Sequence, residues 1–268
     1  IGSPATGRWE ETVPASGAYR RVIVMSPLYP DPPGGTNAND PTSYINGLYA
    51  AAEAAYDENL GRVAVEHAVG TFTVNELIIT GKVIYQAPNG GYCHFKKRSD
   101  PSGGTLNRSI ATTRRLGFCY LDATDGSFLR WGDAGGTNDY YAVADNWYGL
   151  SDDISFVGNG GKIIFDQNGK ICALPLLRLF EVRNFFCGPG VIEVWHNDAV
   201  NPPPAGGASN NWAINLGGRN ITWFYPVIRG GTRTYQDGFH IGHGRDINIY
   251  GGYSQSGDDS LVCENEAA

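Results

Sequence analysis

The sequence predicts an all-β fold, a parallel β-helix with an N-terminal capping helix, on three observations. From residue 63 onward, short runs with period two recur, cut by Gly, Asn or Asp. A single helical segment precedes them and no second long one follows, so the alternating helices of a doubly wound α/β fold are missing. The third observation is a repeat. Gly218-Arg219-Asn220-Ile221-Thr222 resembles Gly244-Arg245-Asp246-Ile247-Asn248, 26 positions on. Asp237-Gly238-Phe239-His240-Ile241 resembles Asp259-Ser260-Leu261-Val262-Cys263, 22 positions on. A drifting period with several short strands in each unit is the mark of stacked coils. Equivalent residues of adjacent coils then lie about 4.8 Å apart, the strand spacing. Antiparallel sandwich strands have no reason to keep a coil-length register.

The elements follow in order. Residues 1–39 are rich in Pro and Gly and read as an extended arm or linker. Residues 40–268 read as the β-helix domain. Its capping helix is expected over 40–60. Asp40 is a good N-cap and Pro41 suits the first helical position. Ile45, Leu48, Ala52 and Ala55 form one apolar stripe, and Asn59 with Gly61 ends the helix. Such a helix would cover the open edge of the first coil. Short strands are expected at 63–65, 71–74, 77–79 and 83–85, then an irregular insertion over 93–150. The insertion carries Lys96, Lys97, Arg98, Arg108, Arg114 and Arg115. These read better as a solvated surface than as a patch for an anionic partner. From 151 the strands return and run to Cys263. No capping element follows, so the last coil is expected to stack on another chain or on further residues.

Composition narrows the function classes. The 268 residues carry a net charge of −7, which argues against nucleic acid or an anionic membrane as partner. At 18% charged and 41% apolar residues, the chain can fold around a core. No transmembrane run is visible. The five cysteines form no C-x-x-C pair, and they read as small buried apolar residues. His240 and His243 are spaced poorly for a metal at a strand turn. Neither a metal nor a cofactor is expected.

Chemistry concentrates at one place. A coil of 22 residues sets Asp237 beside Asp259, with Asp258 projecting next to them. Three carboxylates in one groove repel one another, which favours keeping one protonated. Glycoside hydrolysis needs such a protonated acid and an ionised partner, about 6.5–9.5 Å apart when the partner activates water. Asp and Gly also simply make turns, and Gly257-Asp258 fits that reading too. Trp212, Trp223, Tyr225, Tyr235 and Tyr253 fall in the same coils and could stack on sugar rings or pack in a core. Arg229, Arg233 and Arg245 could hold an acidic sugar or pair with the acidic cluster.

Two stretches resemble known proteins. Asp40-Pro41-Thr42-Ser43-Tyr44-Ile45 with its Ala-rich helix, then Gly61-Arg62-Val63-Ala64-Val65 and Val69-Gly70-Thr71-Phe72-Thr73-Val74, resembles the first coils of pectate-lyase-like right-handed parallel β-helix proteins. That group includes phage tailspikes and polysaccharide depolymerases. Gln236-Asp237-Gly238-Phe239-His240-Ile241 with Gly257-Asp258-Asp259 is similar to the paired acidic motifs of polygalacturonase-family glycoside hydrolases. The resemblance implies a single-stranded right-handed winding and inverting hydrolysis, with Asp258 as general acid and Asp237 and Asp259 as water-activating bases. Of the aromatic and arginine residues in these coils, Arg245, Tyr235, Tyr253 and Trp223 are the substrate-binding candidates. The resemblance also implies a polysaccharide substrate, a homo-trimer or other virion or appendage subunits as partners, and an extracellular or virion-surface location. A non-catalytic glycan-binding component of a virion tail or other appendage is the alternative. The departures are specific. Tyr235-Gln236 stand where the family has Asn-Thr, Ser260 stands where it has Cys, and no Lys or Arg follows Arg245.

Overall fold

A computed structural model of the chain describes residues 8–12, 20–27, 41–98, 110–113, 119–121, 128–131, 140–143, 151–169, 175–196, 212–230 and 237–263. Strands β1 (Arg8–Thr12) and β2 (Arg20–Val24) precede helix α1 (Thr42–Ala54). Next come β3 (Val63–Glu66), β4 (Gly70–Val74), β5 (Leu77–Ile79), β6 (Val83–Gln86), β7 (Tyr92–Lys97) and β8 (Ala111–Thr113). Then follow β9 (Cys119–Leu121), β10 (Phe128–Trp131), β11 (Tyr140–Val143), β12 (Ser151–Val157), β13 (Lys162–Asp166) and β14 (Leu177–Cys187). The series closes with β15 (Ile192–Trp195), β16 (Ile214–Phe224), β17 (Val227–Arg229), β18 (Phe239–Tyr250), β19 (Tyr253–Ser254) and β20 (Leu261–Cys263).

The protein is mostly β, with parallel sheets and, among the described residues, one helix. One sheet has 11 strands, on a main path β1-β2-β3-β6-β12-β14-β16-β18-β20 with β5 and β8 beside it. A second has six, in the order β4-β7-β13-β15-β17-β19. From β3 onward every strand pairing in these two sheets is parallel. Parallel neighbours need a long crossover. Here the crossover passes through the other sheet: β14 leads to β15, β16 to β17 and β18 to β19. The repeat read from sequence is the observed register. Arg219 pairs with Arg245 and Ile221 with Ile247 at 26 positions, and Phe239 pairs with Leu261 at 22.

The long strands bend at one recurrent position. Asp153, Asn184, Asn220 and Asp246 adopt left-handed φ of 54°, 58°, 54° and 58°. Asn and Asp tolerate this region better than other side-chain-bearing residues. Their register stacks them on neighbouring strands. Asn220 donates to Asn184 Oδ1 and Asn184 donates to Asp153 Oδ1, each at 2.8 Å. This explains why the two repeated pentapeptides keep Asn or Asp at their third position. Just before it, Gly218 is required by space, since a Cβ there would lie 1.9 Å from the Val182 carbonyl oxygen.

The core lies between the sheets. Leu177, Ile214 and Phe239 stack in register, and Tyr85, Phe156, Phe185, Trp223 and Phe239 form a chain of ring contacts. Helix α1 buries Tyr44, Ile45, Leu48, Tyr49 and Ala52 against β3, β5 and β6. Asn46 accepts from the Ile78 amide at 2.8 Å and donates to the Glu76 carbonyl at 3.0 Å, so it pairs backbone groups beside the helix.

Three sequence expectations change. Within the expected arm, β2 adds a parallel strand to the large sheet beside β3, and β1 pairs antiparallel with β2. The helix stops at Ala54, short of residue 60, with the Ala55 amide bonded to Ala51. The insertion starts late: β7 belongs to the six-stranded sheet, β8 to the large one, and β9, β10 and β11 form a separate antiparallel sheet. Lys97, expected in solvent, is buried and donates to the Asn75 carbonyl at 2.6 Å. Cys93 and Cys187 are buried free thiols as expected, while Cys263 is exposed. No described helix is long and apolar enough to cross a membrane.

Candidate functional site

The parallel pairing of β18 with β20 builds the acidic cluster. Asp237 sits two residues before β18, and Asp258 and Asp259 sit just before β20. The ladder extends back into this corner. The Gly238 amide donates to the Asp259 carbonyl at 2.8 Å, and the Phe239 amide to the Ser260 carbonyl at 3.0 Å. The Asp259 amide turns instead to Asp237 Oδ1, at 3.3 Å. One carboxylate oxygen from each of Asp237, Asp258 and Asp259 lies within 4.8 Å of the other two. Gly238 permits this approach, because a Cβ would stand 2.4 Å from Ser254 Oγ and 2.5 Å from the Ser260 carbonyl oxygen. Ser256 bonds Ser260 Oγ at 3.1 Å and closes the turn that carries Asp258.

The three groups are not equivalent. Asp237 is partly buried, whereas Asp258 and Asp259 are exposed. Burial pushes the Asp237 carboxyl above its usual range, and repulsion from Asp258 and Asp259 adds to it. The Asp259 amide and His240 act the other way. Asp237 is therefore the member best suited to hold a proton, the role sequence reasoning gave to Asp258. The nearest oxygens are closer than the roughly 6.5–9.5 Å usual between carboxyl groups that enclose a water. A water activated here would have to sit on the solvent side of Asp258 and Asp259. Oxygens this close would also fit around a hard cation, whose ligands stand at about 2.3–2.6 Å.

The other sequence candidates scatter. Tyr253, on β19, is exposed, with the Arg229 guanidinium 5.6 Å from its ring centroid. Trp223 is fully buried between Phe185 and Phe239, so it packs the core and offers no face to a sugar. Arg245 is exposed and pairs with Asp246 at 3.5 Å. It stands on β18 eight positions past Asp237, which at about 3.3 Å per residue is too far along to reach the cluster. Tyr235 lies outside the described residues.

Two arrangements escaped the sequence reading, which named Trp212 and His240 but not their contact. Trp212, next to Asp237 through the Ala213 amide bond to its carbonyl, stacks on buried His240 with ring centroids 3.4 Å apart. The signal was the His three positions after the Asp. The second is a charged network on the six-stranded sheet, centred on Asp166 and Glu193. Its signal was polar residues at alternate positions of strands that read as apolar.

No family model, curated protein or solved structure matches this chain. The resemblance to pectate-lyase-like proteins rests on the quoted residues alone.

Proposed function

We propose that the chain winds as one right-handed parallel β-helix and hydrolyses glycosidic bonds of a polysaccharide, with Asp237 as the proton donor. The observation that carries this reading is the convergence of three carboxylates within 4.8 Å, one of them held above the usual range. Asp237 gives its proton to the leaving glycosidic oxygen as the bond from that oxygen to the anomeric carbon breaks. Water adds to the anomeric carbon, and Asp258 or Asp259 takes the proton that water loses. One water is consumed for each bond cut, and each cut yields one new reducing end. The winding supports the chemistry by bringing residues 22 positions apart into one corner. A polysaccharide substrate would put the action outside a cell or at a virion surface.

The test is incubation with bacterial capsule, lipopolysaccharide and pectin, followed by assay for new reducing ends. Release that disappears in Asp237→Asn, with folding retained, is the expected result. No release from any of the three would sink the reading. A second reading, a divalent-cation site, is favoured by the oxygen spacing alone. A melting temperature that rises with calcium, without any cleavage, would move the cluster to that class.

A further inference from the structure

The sequence holds four Asn-Gly pairs: Asn46-Gly47, Asn89-Gly90, Asn159-Gly160 and Asn168-Gly169. In such a pair the glycine nitrogen can attack the asparagine side-chain carbonyl carbon, because no Cβ screens the approach. The attack needs a side chain free to swing and an amide free to lose its proton. The fold decides which pair meets both conditions.

Three pairs are held. Asn46 lies in α1, where it accepts from the Ile78 amide at 2.8 Å and donates to the Glu76 carbonyl at 3.0 Å. Asn168 donates to the Lys97 carbonyl at 3.1 Å. After Asn89 it is the amide that is engaged, since Gly90 donates to the Asn159 carbonyl at 3.1 Å. Asn159-Gly160 differs on both counts. The Asn159 side chain has no hydrogen bond among the described residues. Gly160 is exposed, in the turn from β12 to β13, with φ of 82°. It faces Asn89 in an isolated antiparallel bridge, and the bond of that bridge comes from the flanking Gly90 amide to the Asn159 carbonyl. In this pattern the two facing residues turn their own N–H groups away from each other. The Gly160 amide therefore points away from the neighbouring turn.

The turn has little slack beyond that point. A Cβ on Gly161 would lie 2.6 Å from the Pro88 carbonyl oxygen and 2.7 Å from those of Gly90 and Gly91. One residue on, the Lys162 amide donates to the Gly91 carbonyl at 3.0 Å, and Lys162 opens the register of β13 with β7 opposite Tyr92. Any atom added to the main chain at 159 has to be taken up beside these carbonyl oxygens.

We propose that Asn159 is a site of spontaneous modification, which deamidates through a cyclic imide with Gly160 and leaves an isoaspartate that loosens the corner between the two sheets. The Gly160 nitrogen bonds to Asn159 Cγ, and its proton leaves with the side-chain amide nitrogen as ammonia. Water then opens the imide. Attack at Cγ gives aspartate, and attack at the backbone carbonyl gives isoaspartate, whose main chain runs through the side-chain carbons and is one methylene longer. Each event consumes one water and releases one ammonia.

The experiment ages the full chain at mildly alkaline pH and physiological temperature, both folded and in urea. Peptide mass spectrometry reads conversion at each Asn-Gly pair, and enzymatic methylation of the new carboxylate reads isoaspartate. In the folded chain Asn159 is expected to convert roughly tenfold faster than Asn46, Asn89 or Asn168, since each of those must first break a hydrogen bond. In urea the four should convert at similar rates. Folded-state conversion of Asn159 no faster than the other three, or the same ranking in urea, would overturn the site. Aged wild type should melt below fresh wild type, whereas Asn159→Gln should hold its melting temperature on ageing. Asn159→Asp carries the charge without the longer main chain and should melt above the aged protein. Aged wild type that melts with the fresh chain would overturn the loosening. Asn159→Asp melting as low as the aged chain would overturn the part given to the longer main chain.

Discussion

The amide of Asp259 donates to the carboxylate of Asp237 across 22 positions of sequence, at 3.3 Å. That bond, between the starts of two neighbouring parallel strands, holds two like charges together. Burial is the main reason the Asp237 carboxyl is raised; repulsion from Asp258 and Asp259 adds to it, and the amide bond itself opposes the rise.

Asp237→Asn is expected to separate activity from stability. The raised carboxyl binds its proton more tightly folded than unfolded, so its stabilising share is complete below the unfolded value. That share is lost as pH rises through the folded value. The Asn variant lacks that loss and keeps an acceptor for the Asp259 amide. Its melting temperature should equal or exceed wild type at pH 7, and the gap should close toward pH 3, while glycan cleavage is abolished. A variant that melts lower at pH 7 than at pH 3, relative to wild type, would contradict the raised carboxyl.

Gly238→Ala should damage the same corner by crowding. The new methyl meets the Ser260 carbonyl oxygen and Ser254 Oγ, and only the serine side chain can move aside. Forcing the strands apart costs about 1–3 kcal/mol. It should also lengthen the Asp259 to Asp237 bond, so cleavage should fall with stability. Urea unfolding and the reducing-end assay would check both, and a variant as stable as wild type would refute the close approach.

The relation between Asp237 and Asp259 was legible because neighbouring parallel strands preserve register, and the Asp-Gly-Phe-His and Asp-Ser-Leu-Val letters carried it. Arg219 with Arg245 was legible for the same reason, helped by the left-handed Asn220 and Asp246. Trp223 was misassigned although the sequence held the answer. Ile221 and Trp223 alternate around Thr222, so both face the core. Glu193 and Asp166 were hidden for a different reason. Their partners come from strands 31 and 72 positions away, and no repeat links them. The helix end was missed because Gly61 lies beyond a short turn in which Asp57 accepts from the Asn59 and Leu60 amides, at 2.8 and 3.0 Å.

The ladder of left-handed residues makes a prediction about stability alone. Asn184 has φ of 58° and bonds both Asp153 and Asn220. Ala there would keep the unfavourable backbone and lose both bonds, at roughly 1–3 kcal/mol. Gly would lose the bonds but relieve the backbone. Chemical denaturation should therefore rank wild type above Asn184→Gly and Asn184→Gly above Asn184→Ala. The opposite order of the two variants would show that the backbone conformation is not what selects Asn.

His67 predicts the response to acid. It lies buried beneath α1, with Nε2 2.8 Å from the Tyr49 hydroxyl and Nδ1 2.8 Å from the Gln86 carbonyl. The neutral ring satisfies both, with Nδ1–H donating to the carbonyl and Nε2 accepting from the tyrosine. Burial lowers its pKa to about 4, against an ordinary 6.5. The unfolded chain therefore takes up a proton that the folded chain refuses between these values, and stability falls as pH drops from about 6.5 to about 4. The loss is on the order of 3 kcal/mol for a fully buried ring. Other groups titrate in the same window, so the informative quantity is a difference. Urea midpoints of wild type and His67→Gln, compared at pH 7 and pH 4.5, should show a smaller drop in the variant. Equal drops would mean that the wild-type ring takes its proton without unfolding, and that the contact between α1 and His67 opens in acid.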